Sequence, residues 1–434
     1  MTEQEEEFSE KMGIDLEGGE EPAAILVGVY SGGKQKSLCA EHLDELENLA
    51  DTFGVPVAAK FPCSVRKIDA STYITKGKLE EILAKVGESK ANLVIFDAEI
   101  SPGQQRNLEK ILKVSVMDRT ELILEIFAQR AQTKEAHLQI ELARTKYEFP
   151  RLKRLWSHFS RQRASGGYLR GAGEQQLELD KRLLKRKVER LTGELREVKR
   201  TREVQRSARL RAGIPTFAII GYTNAGKSTL LNALTDAEVF VEDKLFATLD
   251  PTTRKFTLSN NQEVLLTDTV GFIRKLPHTL VAAFKSTLEA ALHDDVLLHL
   301  IDVSHPSAEE QAQATYDLLK ELDVHEEALI TVLNKADLAD RAMIDRLRVR
   351  FPKTVVISAL QQTGFDDLVA RMIQELAERR QEVKLKIPQS EYALVTELRR
   401  EGRILYEEYE ENDVIVRAEV PITFLHRLDP YRYE

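Results

Sequence analysis

Two cysteines, Cys39 and Cys63, are all that 434 residues contain. That is too few for a disulfide scaffold, so a reduced, cytoplasmic protein is expected. No run approaches the ~18 uninterrupted apolar residues that a membrane span needs, so no spanning helix is expected. A basic leader is missing too: Glu5, Glu6, Glu7, Glu20 and Glu21 make the start acidic, the opposite of a secretory signal.

A net positive balance is confined to one segment. The net charge is −9, yet 21 Lys and Arg face only 8 Asp and Glu between Arg144 and Arg211. That segment carries +13 and leaves −22 for the rest. An acidic chain with one concentrated basic stretch fits a nucleic-acid binder acting through that stretch. The plainer alternative is a solvated helix with i,i+4 pairs, but the excess of one sign leaves most of these cations without an acidic neighbour.

What is present is an ordinary globular balance, 42% hydrophobic and 31% charged, in a chain long enough for two to four domains. Residues 1–21 read as a disordered acidic tail. From Ala23 the pattern alternates: AAILVGVY, PVAAKF and ANLVIFD as strands, HLDELENLADTFG and GKLEEILAKVG as helices. Strands separated by helices imply a parallel sheet, a small α/β domain over 22–118.

Glu121 to Tyr147 has continuous helical periodicity that Pro150 should stop. SRQRASGGYLRGAGEQQ, with four glycines in a basic setting, should not be a regular element. After it, Leu184, Val188, Leu191, Leu195 and Val198 form an a/d seam. Residues 119–212 therefore read as a basic helical hairpin with a Gly-rich tip of about fifteen residues, where a plain turn needs two to five. Arg161, Arg163 and Arg170 interleave with its glycines and are the candidate RNA contacts.

From Thr216 the rhythm returns in TFAIIG, EVLLTD, VLLHLID, ALITVLN and TVVIS. These five strands imply a doubly wound sheet over 213–382, closed by a helix around Phe365–Arg380, with its ligand at the strands' carboxyl ends. After Pro388 a helix, strand, turn and strand suggest a small α+β domain over 386–434. The fold class is thus α/β.

Gly221-Tyr222-Thr223-Asn224-Ala225-Gly226-Lys227-Ser228 matches GxxxxGK[ST] between a strand and a helix. In a P-loop the backbone amides and the helix N-terminus cradle phosphates, Lys227 reaches the β/γ-phosphates, and Ser228 offers an oxygen to Mg²⁺. Asp268-Thr269-Val270-Gly271 ends the next long strand. Asp268 can hold the Mg²⁺ hydration shell, and the Gly271 amide can meet the γ-phosphate. Asn334-Lys335-Ala336-Asp337 also ends a strand, and Asp337 can accept two hydrogen bonds from guanine that adenine cannot give. Ser358-Ala359-Leu360 would meet the guanine O6 through a backbone amide. Together these motifs imply Mg²⁺-dependent binding of GTP and GDP and hydrolysis of GTP by Lys227, Gly271 and a switch threonine. The first switch falls in Phe246-Ala247-Thr248-Leu249-Asp250. On chemistry alone Thr248, Thr252 and Thr253 compete for its Mg²⁺-binding role.

Two positions are chemically unusual. Where Ras-like enzymes place a water-orienting Gln, this chain has Phe272, so the isolated protein should turn over slowly. Asn224 is a candidate K⁺ site, supplying the charge that an arginine finger otherwise brings.

GYTNAGKS, FATLDPTTR, DTVGF, NKAD and SAL resemble the GTPase domain of the HflX family of ribosome-associated GTPases. The likeness extends upstream through FDAEISPGQQRNLEK, DRTELILEIFAQRAQTKEAHLQIELA and SGGYLRGAGEQQLELDKR, covering about 22–380. The resemblance implies Thr248 as the switch ligand of Mg²⁺. It also implies binding through rRNA to the large ribosomal subunit and, as in several bacteria, splitting, rescue or recycling of ribosomes. A monomer is expected. The alternatives are a GTPase in ribosome assembly or RNA modification, for which no second catalytic constellation stands out, and an RNA-binding scaffold with little turnover.

Overall fold

The computed structural model describes residues 23–162, 170–211, 214–235, 244–275, 296–321, 329–410, 412–421 and 424–433. They form two compact units. The first holds the described residues up to 195 together with 244–249 and Lys275, and the second holds the others.

In the first unit, β1 (Ala24–Tyr30), β2 (Val57–Ser64), β3 (Leu93–Phe96) and β4 (Ser115–Asp118) make a parallel sheet in the order β2-β1-β3-β4. Helices α1 (Lys36–Phe53), α2 (Lys76–Ser89) and α3 (Pro102–Leu112) connect its strands. The expected parallel sheet is present, with β4 and α3 in addition. All four residues of β3 are buried, which is why it reads as an unbroken apolar run. A capping box starts α3: the Ser101 hydroxyl accepts from the Gln104 amide, and the Gln104 side chain accepts from the Ser101 amide.

The expected single helix after Glu121 is two. α4 (Arg119–Arg130) ends at an extended Ala131, and α5 (Lys134–Gln162) starts anew behind Thr133. The Thr133 hydroxyl accepts from the Ala136 amide at 3.1 Å, an N-cap that helical periodicity does not reveal. Nor does Pro150 stop the helix, since α5 continues through it to Gln162. The next residue is anchored to the neighbouring elements: Arg151 donates to Asp118 at 2.9 Å and to the Ile100 carbonyl at 3.2 Å. Its guanidinium also lies 3.8 Å over the Tyr147 ring. The buried Asp118 gathers further donors, the Glu121 and Ile100 amides and the Tyr147 hydroxyl, and so ties β4 to α4 and α5.

The Gly-rich stretch is less irregular than expected. α6 (Arg170–Arg211) starts at Arg170, so Gly171 and Gly173 are helical and a connection of fewer residues than fifteen remains. Residues 163–169 lie outside the described residues, as does the acidic start of the chain. Lys187 on α6 meets Glu141 on α5 at 2.9 Å. Of the seam, Leu191 is buried and Leu184, Val188, Leu195 and Val198 are half-buried.

The second unit holds a six-stranded sheet in the order β10-β9-β8-β5-β7-β6. Its strands are β5 (Thr216–Gly221), β6 (Thr252–Thr257), β7 (Glu263–Asp268), β8 (Val296–Asp302), β9 (Leu329–Asn334) and β10 (Thr354–Val356). Helices α7 (Lys227–Thr235), α8 (Ala308–Glu321), α9 (Arg341–Arg350) and α10 (Phe365–Glu378) belong to it. Five strands are the expected ones and run parallel, while β6 is an added antiparallel edge. Its Arg254 and Lys255 are exposed and only Phe256 packs on the core, so its sequence carries little strand signal. Chain order reverses at β5, between β8 and β7, which sets a crevice at its carboxyl end.

Beyond α10 the expected helix–strand–strand order is preceded by a strand. β11 (Arg380–Pro388), α11 (Tyr392–Glu401), β12 (Arg403–Glu410) and β13 (Asp413–Pro421) form an antiparallel sheet β11-β13-β12 with α11 packed on it. Among the described residues no helix is long and apolar enough to cross a membrane.

Candidate functional site

The carboxyl ends of β5, β7 and β9 and the loop after β10 bring four of the expected motifs together in the second unit. Gly221 ends β5 with φ 149°, and Gly226 has φ 89°. A Cβ at Gly226 would collide with the Asn334 side-chain amide, so this loop admits only glycine there. Asn224 also adopts a left-handed φ of 61° and is exposed.

Lys227 starts α7 and is buried, its Nζ donating to the Tyr222 carbonyl at 2.8 Å and the Gly221 carbonyl at 3.3 Å. The ammonium thus curls back over the loop. Burial pulls its pKa down to about 8, and Asp268 opposes that shift. A buried cation compensated only in part suits an arriving phosphate. The Thr223 hydroxyl is also buried and has no hydrogen-bond partner among the described residues.

Ser228 Oγ donates to Asp268 Oδ2 at 2.6 Å. A hydroxyl and a carboxylate at the foot of the P-loop are the hard oxygen donors that Mg²⁺ selects. Thr269 lies next, its hydroxyl donating to the Ile219 carbonyl at 2.8 Å, and Val270 is buried. Gly271 packs against the loop so tightly that a Cβ would lie 2.9 Å from Lys227 Nζ and from Thr223 Cα. Phe272 is buried and works through its backbone: its carbonyl accepts from the Thr223 amide at 2.7 Å, and its amide donates to the Gly221 carbonyl at 3.0 Å. The Tyr222 hydroxyl accepts from the Arg274 amide at 2.7 Å.

Asn334 closes the assembly. Its Nδ2 donates to the Ala225 carbonyl at 2.8 Å, and its Oδ1 accepts from the Ala359 amide at 2.9 Å. One side chain therefore joins the phosphate loop to the loop after β10, a bracing role that the motif alone does not disclose. Lys335 pairs with Asp302 at 2.7 Å, and the Ala336 amide donates to the Ile357 carbonyl. Asp337 is exposed, Ser358 is buried, and Leu360 is 79% exposed. The Ser358 hydroxyl accepts from the Gln361 amide and orders that loop.

Phe246, Ala247, Thr248 and Leu249 belong to the first unit, whereas Asp250 belongs to the second. Phe246 is buried edge-on against Phe127 of α4 with ring centroids 4.5 Å apart, and its φ of 56° is unusual for an aromatic residue. The neighbouring Leu245 amide donates to the Thr52 hydroxyl of α1 at 3.2 Å. Thr252 and Thr253 lie in β6, where the Thr253 and Thr267 hydroxyls share a hydrogen bond of 3.0 Å. That leaves Thr248 as the threonine outside a strand. Of the candidate RNA contacts, Arg161 falls in the last turn of α5 and Arg170 is the first residue of α6, and Arg163 lies outside the described residues.

Three family models match in series: a GTP-binding GTPase N-terminal region over 40–128, a GTP-binding GTPase middle region over 130–209, and a 50S ribosome-binding GTPase over 216–335. The chain is 50% identical to GTPase HflX of Chlamydia pneumoniae, over 94% of this chain and 88% of that one. It is 40% identical to GTPase HflX of Escherichia coli, over 93% and 95%. A solved GTP-binding protein from the archaeon Sulfolobus solfataricus in complex with GDP is similar at 26% identity, over 83% of this chain and 99% of that one, with a TM-score of 0.45. With its phosphate loop and nucleotide motifs gathered as described, and with the two HflX relatives matching along more than nine-tenths of it, the chain belongs to the HflX family of P-loop GTPases, hydrolases that act on GTP.

Proposed function

We propose that this GTPase works on the ribosome, engages the large subunit through rRNA, and couples GTP binding and hydrolysis to splitting, rescue or recycling. The observation that carries the nucleotide part is the Ser228–Asp268 pair beside the buried, back-curled Lys227. In this reading a γ-phosphate draws Lys227 off the Tyr222 carbonyl and meets the Gly271 amide. Ser228 and Thr248 would supply oxygens to Mg²⁺, with Asp268 acting through water. The bound Mg²⁺ would neutralise charge developing on the phosphates. Asp337 reads guanine, and the Asn334 brace holds that loop in register with the phosphate loop.

The ribosomal part is supported by the matched 50S ribosome-binding model and by the basic charge on α5 and α6. The buried Phe272 supplies no water-orienting group, so basal turnover is slow and a partner accelerates it. Asn224 holds K⁺ in this proposal, and replacing K⁺ by Na⁺ at constant ionic strength slows hydrolysis by the wild type but not by Asn224→Ala.

The test is steady-state GTP hydrolysis with purified large subunits, small subunits or free RNA. Stimulation by large subunits alone supports the reading. Stimulation by free rRNA or an assembly intermediate, with none by mature large subunits, would favour a role in assembly.

A further inference from the structure

The three-stranded sheet formed by β11, β12 and β13 lies outside all three matched family regions and has two unlike margins. The β11 margin is met by the chain's own end: Arg432 bridges to Leu385, and the Tyr433 amide donates to the Lys384 carbonyl at 3.2 Å. Along the β12 margin no described strand pairs, so alternate amides and carbonyls of Arg403–Glu410 point outward unpaired with any strand. Proteins ordinarily blunt such an edge with lysine or proline. This one instead presents Leu405, Tyr406 and Tyr409, which are 41%, 52% and 56% exposed.

The two tyrosines are held in place. Tyr409 Oη donates to Glu407 at 2.8 Å and lies 3.1 Å from the Tyr392 hydroxyl, while Arg399 of α11 grips Glu407 with contacts of 2.7 and 2.9 Å. The Tyr406 hydroxyl donates to Glu408. Opposite the buried Val414 and Val416, Tyr409 and Glu407 share the α11 face, whereas Tyr406 and Glu408 share the other face with Arg417 and Ile415. Charge in the second half of the edge is mainly negative: residues 407–413 read EEYEEND, five carboxylates, against which Lys386 of β11 lies 3.6 Å from Glu410 and 3.5 Å from Asp413.

We propose that the β12 edge is a docking site for an extended, lysine- or arginine-rich segment of a partner protein, which adds as a fourth strand. Its backbone would pair with the open edge. Its alternate side chains would meet Tyr406 and Glu408 on one face and Tyr409 and Glu407 on the other, through cation–π and carboxylate contacts. The same carboxylates repel nucleic-acid phosphate. They would also face one another in an edge-to-edge pair of copies, which disfavours self-association.

The probe is a fluorescein-labelled peptide of alternating lysine and valine, titrated into the full-length protein and followed by anisotropy. Saturable, salt-sensitive binding is expected. It should weaken about tenfold or more in Tyr406→Ala/Tyr409→Ala and in Glu408→Lys/Glu410→Lys, and for a peptide N-methylated at alternate residues. The Tyr406→Phe/Tyr409→Phe protein, which keeps both rings, should stay within about threefold of wild type. Basal GTP hydrolysis and far-ultraviolet circular dichroism should be unchanged throughout. Absent binding, or binding indifferent to the alanine pair or to N-methylation, overturns the proposal. So would tyrosine-dependent binding of a short single-stranded RNA in place of the peptide, or a dimer in sedimentation that the alanine pair dissociates.

Discussion

Asn334 donates its side-chain amide to the Ala225 carbonyl at 2.8 Å, fastening the loop after β9 to the phosphate loop. Because the Asn334 side chain also accepts from the Ala359 amide, three separate segments share one small brace. Asn334→Ala removes both bonds and leaves a buried carbonyl and a buried amide to find new partners, at a cost of about 1–3 kcal/mol each. GDP and GTP affinity should fall together, by about tenfold or more. Calorimetric titration with both nucleotides checks this; unchanged affinity for both would show that the brace is dispensable.

Asp337 is exposed at the end of the same loop. Asp337→Asn should weaken GTP by about 3–6 kcal/mol through loss of two charge-assisted hydrogen bonds. Xanthosine triphosphate, which presents an acceptor in place of the guanine amine, should bind this variant better than GTP does. Competition between the two nucleotides for the variant measures the exchange.

Ser228→Ala should impair Mg²⁺-dependent binding of both nucleotides. Thr248→Ala should impair GTP and spare GDP, because a switch threonine is recruited only by the γ-phosphate. Normal ribosome-stimulated hydrolysis in Thr248→Ala would contradict the assignment. Thr252 and Thr253 would then have to leave β6 to serve.

His299 is buried on β8 with Tyr316 edge-on at 5.1 Å. Burial, with Lys227 adding to it, pushes its pKa down to about 3. Below about pH 6.5 the unfolded chain binds a proton that the folded state refuses. Stability present above that pH is therefore lost as pH falls toward 3, by up to about 1.4 kcal/mol per pH unit. In calorimetry the transition that GDP raises should move down between pH 6.5 and 4. His299→Leu should flatten that dependence, and an identical slope in the variant would remove His299 as its source.

Much of this organisation is legible from residue order, for physical reasons that also mark where it stops. β3, β5, β8 and β9 are buried along most of their length, so each shows as an apolar run. The motifs sit at strand ends because the crevice does. β6 escapes notice because an edge strand needs few apolar residues. In β11 Val383, Leu385 and Ile387 do alternate, and all three are buried; the signal was available but lay against the end of a helix. Pro150 lies inside α5 beside Arg151, whose partners Asp118 and Ile100 are distant in sequence, so no local pattern contains them. The Asn334 brace and the Phe246–Phe127 contact join residues more than a hundred positions apart, and only the folded chain discloses them.

The most direct test of the central proposal is turnover with and without the basic hairpin tip. Residues 161–176 would be replaced by a tight turn, and GTP hydrolysis measured at rising concentrations of purified large subunits across a salt series. If cations near the tip contact rRNA, nucleotide affinity stays near wild type, while ribosome binding, its salt dependence and the stimulated turnover collapse together. Wild-type stimulation and an unchanged salt slope in the shortened protein would contradict the account.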